Sequence, residues 1–99
     1  MERGGYIYIM SKKNRTVLYI GVTSNLANRV YEHKNGKGSV FTSLYKCFDL
    51  VYYEGFNAIE EAIAREKRLK KWKREWKNNL IKEMNPILKD LSNEVTEFT

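Results

Sequence analysis

The sequence predicts a small α/β (α+β) domain, three short strands and two main helices in the order ββαβα, packed as a sandwich. Three observations predict it. Apolar, aromatic and β-branched runs of strand length stand at Tyr6–Met10, Val17–Val22 and Phe48–Glu54. Helical patterns preceded by capping residues follow the second and third runs. The chain, at 99 residues, has room for one domain. A domain this small buries a modest share of its surface, so its core relies on large side chains. Seven Tyr, four Phe and two Trp, 13% of the sequence, supply them.

Each element has a local reason. Tyr6-Ile7-Tyr8-Ile9-Met10 reads as a strand, and the polar stretch Ser11–Arg15, with the turn former Asn14, leads into Val17–Val22 as the second arm of an antiparallel hairpin. Gly21 ends that apolar run where a side chain is unwelcome. Thr23-Ser24-Asn25 caps a helix over Asn25–Lys34 with Leu26 and Val30 inward, and Asn35-Gly36-Lys37-Gly38 stops it. Ser39–Lys46 reads as a short helix or a turn. Phe48–Glu54 is the third strand, broken by Gly55-Phe56-Asn57, and Asn57 caps a long helix over Ala58–Met84 with a weak kink near Trp72. Asn85-Pro86 ends it, because the residue before proline avoids helical geometry. The domain is expected over residues 1–91, with residues 92–99 as a frayed tail.

Composition narrows the function. The single Cys, Cys47, excludes an intramolecular disulfide and a cysteine-based zinc site. It suits a reducing compartment, and no signal-peptide pattern or run of transmembrane length interrupts the sequence, so a cytoplasmic location is expected and a membrane is not. A net charge of +6 favours an anionic partner. The charge concentrates between Arg65 and Lys82, where Lys67, Lys70, Lys71 and Arg74 lie among other basic residues and the acids are Glu66 and Glu75. Such a run is either a solvated helix face or a surface for nucleic acid or anionic lipid.

Polar residues that break the packing pattern are the candidates for chemistry. Ile59, Ala62, Ile63, Leu69 and Trp76 form an apolar stripe, and Glu66 falls inside it. A carboxylate there is either a buried ion pair or a metal ligand lining a cleft. Arg29 and His33 stand four apart, on one helix face close to Leu26 and Val30. The arginine can grip a phosphate with two hydrogen bonds, and the histidine, the only one in the chain, can exchange a proton. Tyr6 and Tyr8 share a strand face and Tyr19 lies on the neighbouring strand. Such tyrosines usually just pack; in a basic cleft, positive charge would ease loss of the phenol proton. A basic protein with an inward carboxylate, an Arg–His pair and several phenols suits phosphodiester hydrolysis.

Tyr6-Ile7-Tyr8 followed by Tyr19-Ile20-Gly21 resembles the paired signature of the GIY-YIG nuclease superfamily. The resemblance covers about residues 5–91 and continues through the stretch to Gly36, through Phe41-Thr42, Leu50–Glu54 and Ala62–Trp72, to Asn85-Pro86. It implies a small three-stranded antiparallel sheet flanked by helices, and an endonuclease that uses one Mg²⁺ or Mn²⁺ ion. By residue, it implies that Tyr8 and Tyr19 line the active site, one of them activating water with help from His33. Arg29 would stabilise the scissile phosphate, Glu66 would be the sole carboxylate on the metal, and Asn85 would shape the site. Mg²⁺ keeps most of its waters, so one carboxylate can suffice. The sequence departs from the pattern in having Tyr6 at the first glycine of the signature and Val40 before Phe41-Thr42. Members of the superfamily include homing, restriction and repair enzymes and small stand-alone proteins. The expectation is therefore a DNA endonuclease of low sequence specificity or structural selectivity, with Lys67, Lys70, Lys71 and Arg74 on the backbone and a protein partner or second copy as an option. The alternatives are a nucleic-acid-binding module of the same fold without turnover, and an interaction protein whose basic helix docks on an acidic partner.

Overall fold

A strand that is apolar on both faces belongs between two layers, and β1 (Gly5–Ser11) is such a strand. The computed structural model, which describes residues 3–96, places it at the centre of a three-stranded antiparallel sheet. Its neighbours are β2 (Leu18–Thr23) and β3 (Asp49–Phe56), in the order β2-β1-β3. Ile7 and Ile9 face one core with Ile20, Val51, Tyr52, Ala62, Leu69 and Ile81. Tyr8 and Met10 face a second, with Leu26, Val30, Cys47, Leu50, Leu91 and Val95. The expected sheet flanked by helices is therefore what the chain forms. A bulge in the β1–β3 register, from Ile9↔Tyr52 to Met10↔Leu50, leaves Val51 without a partner. It lets Val51 and Tyr52 enter one core while Leu50 enters the other. Gly55-Phe56 does not break β3 as expected: Tyr6 pairs with Gly55 and Gly5 with Phe56.

α1 (Leu26–Lys34) begins as predicted, with the Asn25 side chain accepting from the Asn28 amide at 3.1 Å. The ambiguous stretch is a short helix, α2 (Val40–Leu44), whose cap Ser39 accepts from the Thr42 amide at 3.0 Å. The long helix differs from expectation at its start and in its middle. Ala58, not Asn57, is the capping position, and the Glu61 carboxylate reaches back to accept from its amide at 3.1 Å. The weak bend near Trp72 is a full break between α3 (Ile59–Lys70) and α4 (Arg74–Met84), with Lys73 extended between them. Neither glycine nor proline stands there; packing causes the break. Trp72 tucks against the first core under the Arg65 guanidinium, 5.4 Å from its ring centre, and α4 turns back to bury Ile81 in that same core. The apolar stripe is consequently cut short, and Ile63 and Trp76 are exposed.

Residues 92–96, expected as a frayed tail, form α5 (Ser92–Thr96), which buries Val95 in the second core; residues 97–99 lie outside the described residues. Asp90 holds this end down by accepting from the amides of Leu50 and Ser92 and by pairing with Lys34. Burial alone would raise the Asp90 carboxyl, but Lys34 and Ser92 outweigh it and hold the group below its ordinary value.

Candidate active site

Of the five residues singled out for catalysis and metal binding, four, Tyr8, Tyr19, Arg29 and His33, converge on one side of the sheet. Register explains the tyrosines. Tyr8 pairs with Gly21 and Met10 with Tyr19, so Tyr8, Tyr19 and Gly21 share the face that α1 covers. Helical spacing explains the others, since Arg29 and His33 lie on the side of α1 that carries Leu26 and Val30 to the core.

Tyr8 is the hub. Its phenol oxygen accepts from Arg29 Nε at 3.2 Å and lies 3.0 Å from His33 Nε2. Arg29 also donates to Glu32 at 3.0 Å. His33 is fully buried, and its Nδ1 lies 3.0 Å from the Thr42 hydroxyl, which lies 2.9 Å from the Ser39 hydroxyl. The Tyr19 ring closes the cluster, with its centre 5.8 Å from that of His33 and 6.4 Å from that of Tyr8. Tyr6, which replaces the first signature glycine, does not narrow this site. Its ring turns towards Gly55 on β3, away from the β2 side where Tyr19 stands.

Two glycines make room. A Cβ on Gly21 would stand 2.4 Å from the Tyr8 phenol oxygen, and one on Gly38 would stand 1.9 Å from His33 Nδ1. Sequence reasoning gave Gly21 its role but read Gly38 only as a helix stop. It also missed Thr42 and Ser39 as partners of His33. The signal was present in Ser39-Val40-Phe41-Thr42, a cap whose hydroxyl serves its own helix and, through Thr42, the only histidine.

Protonation is directional. Burial pushes the Tyr8 phenol up to about 12, against the pull of Arg29. The expected easing of its proton by positive charge is therefore reversed, because desolvation outweighs one arginine. Burial and then the Arg29 charge push His33 down to about 4, so the ring is neutral at pH 7. Of the two groups bonded to the Tyr8 hydroxyl, Arg29 can only donate and His33 Nε2 alone can accept, which assigns the phenol proton to that nitrogen. The histidine proton then sits on Nδ1 and is donated to Thr42. A chain of donors runs Arg29, Tyr8, His33, Thr42.

As the only histidine, His33 gives one set of nitrogen-15 ring signals. These should report the Nδ1-protonated neutral tautomer from about pH 8 to about pH 5 in the wild type, keep it in Thr42→Ser, and lose it in Thr42→Val. An Nε2-protonated ring in the wild type would reverse the chain, with His33 donating to Tyr8. The folded value lies below the ordinary 6.5, so the unfolded chain takes up the proton first. Stability is full above pH 6.5 and falls as the pH drops towards 4, by up to about 3 kcal/mol. Melting between about pH 6.5 and 5, above most carboxylate titrations, isolates the effect.

Glu66 and Asn85 do not join the cluster. α3 packs Ala62 and Leu69 on the opposite face of the sheet, so Glu66 belongs to that side. Tyr19 lies on one face of edge strand β2 and α3 packs on the other; the two faces meet at that edge. The Glu66 side chain is 17% exposed and pairs with Lys70, itself 53% exposed, at 3.2 Å. The pair is with a lysine one turn on and at the surface, not the buried ion pair that is one of the two readings of this carboxylate. A hard oxygen donor with only a loose surface partner fits a divalent ion that keeps most of its own waters. Asn85 is buried, and its amide donates to the carbonyls of Val51 and Lys89 at 3.1 and 2.8 Å. It fastens the turn after α4 to β3 and presents no free group to a substrate. Arg74 is likewise engaged, donating to the carbonyls of Thr16 and Arg15 in the hairpin loop. Lys67, Lys70 and Lys71 are exposed. Arg65, read only as part of the basic run, makes a two-pronged pair with Glu54 at 3.1 and 3.0 Å.

An antiparallel β2-β1-β3 sheet that sets two tyrosines, an arginine and a histidine on one face has the architecture of a GIY-YIG catalytic domain. The family model of that domain matches residues 4–79, and the chain belongs to this family. Among its relatives, a UPF0213 protein of Bacillus pumilus is 34% identical over 97 residues, 98% of each chain. A UPF0213 protein of Clostridium perfringens is 41% identical over 76 residues, 77% of this chain and 81% of the relative. The solution NMR structure of a UPF0213 protein from Bacillus halodurans, 28% identical, superposes with a TM-score of 0.56 over 90% of this chain and 94% of that one. GIY-YIG domains are nuclease domains that act on nucleic acid and generally use divalent metal ions. Among the described residues no helix is long and apolar enough to cross a membrane.

Proposed function

We propose that the chain is a metal-dependent endonuclease that hydrolyses phosphodiester bonds in DNA with low sequence specificity, working in the cytoplasm. The observation that carries this is the convergence of Arg29, Tyr8 and His33 through bonds of 3.2 and 3.0 Å. In this reading, Arg29 binds the nonbridging oxygens of the scissile phosphate, where its charge stabilises the crowded phosphorus. Tyr8 takes a proton from the attacking water as it passes its own to His33 Nε2, and Thr42 steadies the resulting imidazolium at Nδ1. The phosphate itself supplies the negative charge that makes His33 a better base than in the free protein. Glu66 would hold Mg²⁺ or Mn²⁺, and what a bound ion supplies there is Lewis-acid stabilisation of the leaving oxygen. Exposed Lys67, Lys70 and Lys71 provide salt-dependent backbone contact. Cutting both strands of a duplex would take a second visit, a second copy or a partner.

The test is a panel of labelled single-stranded, duplex, flap and branched DNAs and an RNA, each incubated with Mg²⁺, Mn²⁺ or EDTA, using wild type and Glu66→Ala. Cutting that requires metal and disappears in the variant is the expected result. Binding without cutting on every substrate would identify a binding module instead.

A further inference from the structure

The Tyr19 ring does not end the cluster; it continues outward. Phe41 stacks on Tyr19 with ring centres 5.7 Å apart and planes at 29°, and Tyr45 packs on Phe41 at 4.7 Å. The rings climb from buried Tyr8 to open solvent, with Phe41 41% and Tyr45 46% exposed. Folding does not demand this exposure. Thr42 is the one residue of α2 that is buried, and Val40 and Leu44 also stand in solvent. A contiguous exposed apolar patch on a small domain marks a binding surface.

We propose that Tyr19, Phe41 and Tyr45 form a stacking platform for the unpaired bases of a DNA strand. Single-stranded or locally unpaired DNA would then be the preferred substrate. The proposal rests on the nuclease reading of the same site and names its substrate class. Aromatic rings stack any base, but only an unpaired one offers its face. The platform is continuous with the site because Tyr19 belongs to both, so a strand stacked on α2 leads its backbone towards Arg29. Lys37 and Lys46 flank α2, are exposed, and match the charge of the adjoining phosphates. The serine hydroxyls beside the rings are engaged within the protein, Ser39 with Thr42 and Ser43 with the Gly36 carbonyl. Neither serine is set to read a ribose 2′-hydroxyl, which favours DNA, and a uridine RNA probe tests that choice.

Binding in EDTA tests the platform without turnover. Wild type, Phe41→Ala and Tyr45→Ala would be titrated by fluorescence anisotropy into four short labelled probes of equal length: a thymidine oligomer, an abasic oligomer, a duplex and a uridine RNA. The thymidine oligomer should bind about ten-fold or more tighter than the abasic one, as one stacked base requires. It should also exceed the duplex and the RNA. Tyr45→Ala, at the outer end and remote from the core, should shrink the gap, and Phe41→Ala should close it, with abasic binding unchanged. Equal binding of thymidine and abasic oligomers would overturn the platform, as would variants that weaken both probes alike. RNA bound as tightly as DNA would overturn the choice of DNA. A chain that self-associates through α2, with Phe41→Ala yielding monomers of unchanged affinity, would make the patch an interface between copies. Absence of cleavage in the metal panel would sink the nuclease reading and leave these affinities as they are.

Discussion

Arg29→Ala should lower DNA cleavage by at least about a hundred-fold, the cost typical of removing one group that stabilises transition-state charge. The fold should survive. Arg29 is only partly buried and its pair with Glu32 is a surface contact, so with the bond to the Tyr8 phenol included its loss should cost about 1–3 kcal/mol. Two effects combine. The scissile phosphate loses its cationic partner, and the Tyr8 phenol loses the donor that opposes its desolvation, so its pKa moves further up. Arg29→Lys separates them: it keeps a charge but loses the planar fork, and should recover only part of the rate. Single-turnover cleavage alongside a melting curve checks this. A variant that cuts at the wild-type rate would remove Arg29 from the mechanism.

Gly21→Ala should damage stability and activity together. The added methyl would stand 2.4 Å from the phenol oxygen and ring of Tyr8, which is a buried side chain of the central strand, held by Arg29 and His33. It has no free space to enter, so either the β1–β2 pairing or the phenol must shift. Overpacking of this kind costs about 1–3 kcal/mol, and a domain of this size loses roughly 4–8 °C of melting temperature per kcal/mol. A displaced phenol breaks its contact with His33, and a 1 Å misplacement costs on the order of a hundred-fold in rate. Gly38→Ala should do the same from the other side, through His33 Nδ1. Melting temperature, the His33 nitrogen-15 signals and cleavage rate should all change. A normal Tm with unshifted His33 signals would mean that the strands flex enough to take the methyl.

Much of this was legible in the sequence because it depends on residues near one another in the chain. Alternation placed Tyr8 and Tyr19 on strands, helical spacing put Arg29 and His33 on one face, and Asn25 announced the helix that carries them. Glu66 was recognisable as a carboxylate in an apolar stripe. The chain's own residues thus determine the sheet, the first helix and the four groups that meet on it. What they could not reveal depends on contacts between distant segments. The break at Trp72–Lys73 follows from two helices sharing one core, with no breaker residue to announce it. α5 is ordered by Asp90, Lys34 and the second core, which local propensity in five residues cannot foretell. Asn85 and Arg74 are polar and basic in sequence, and only the fold shows their donors directed at backbone carbonyls. The protonation of the site is the clearest case. Composition suggests an acidified phenol, but burial is a property of the assembled core, and it outweighs the arginine beside Tyr8.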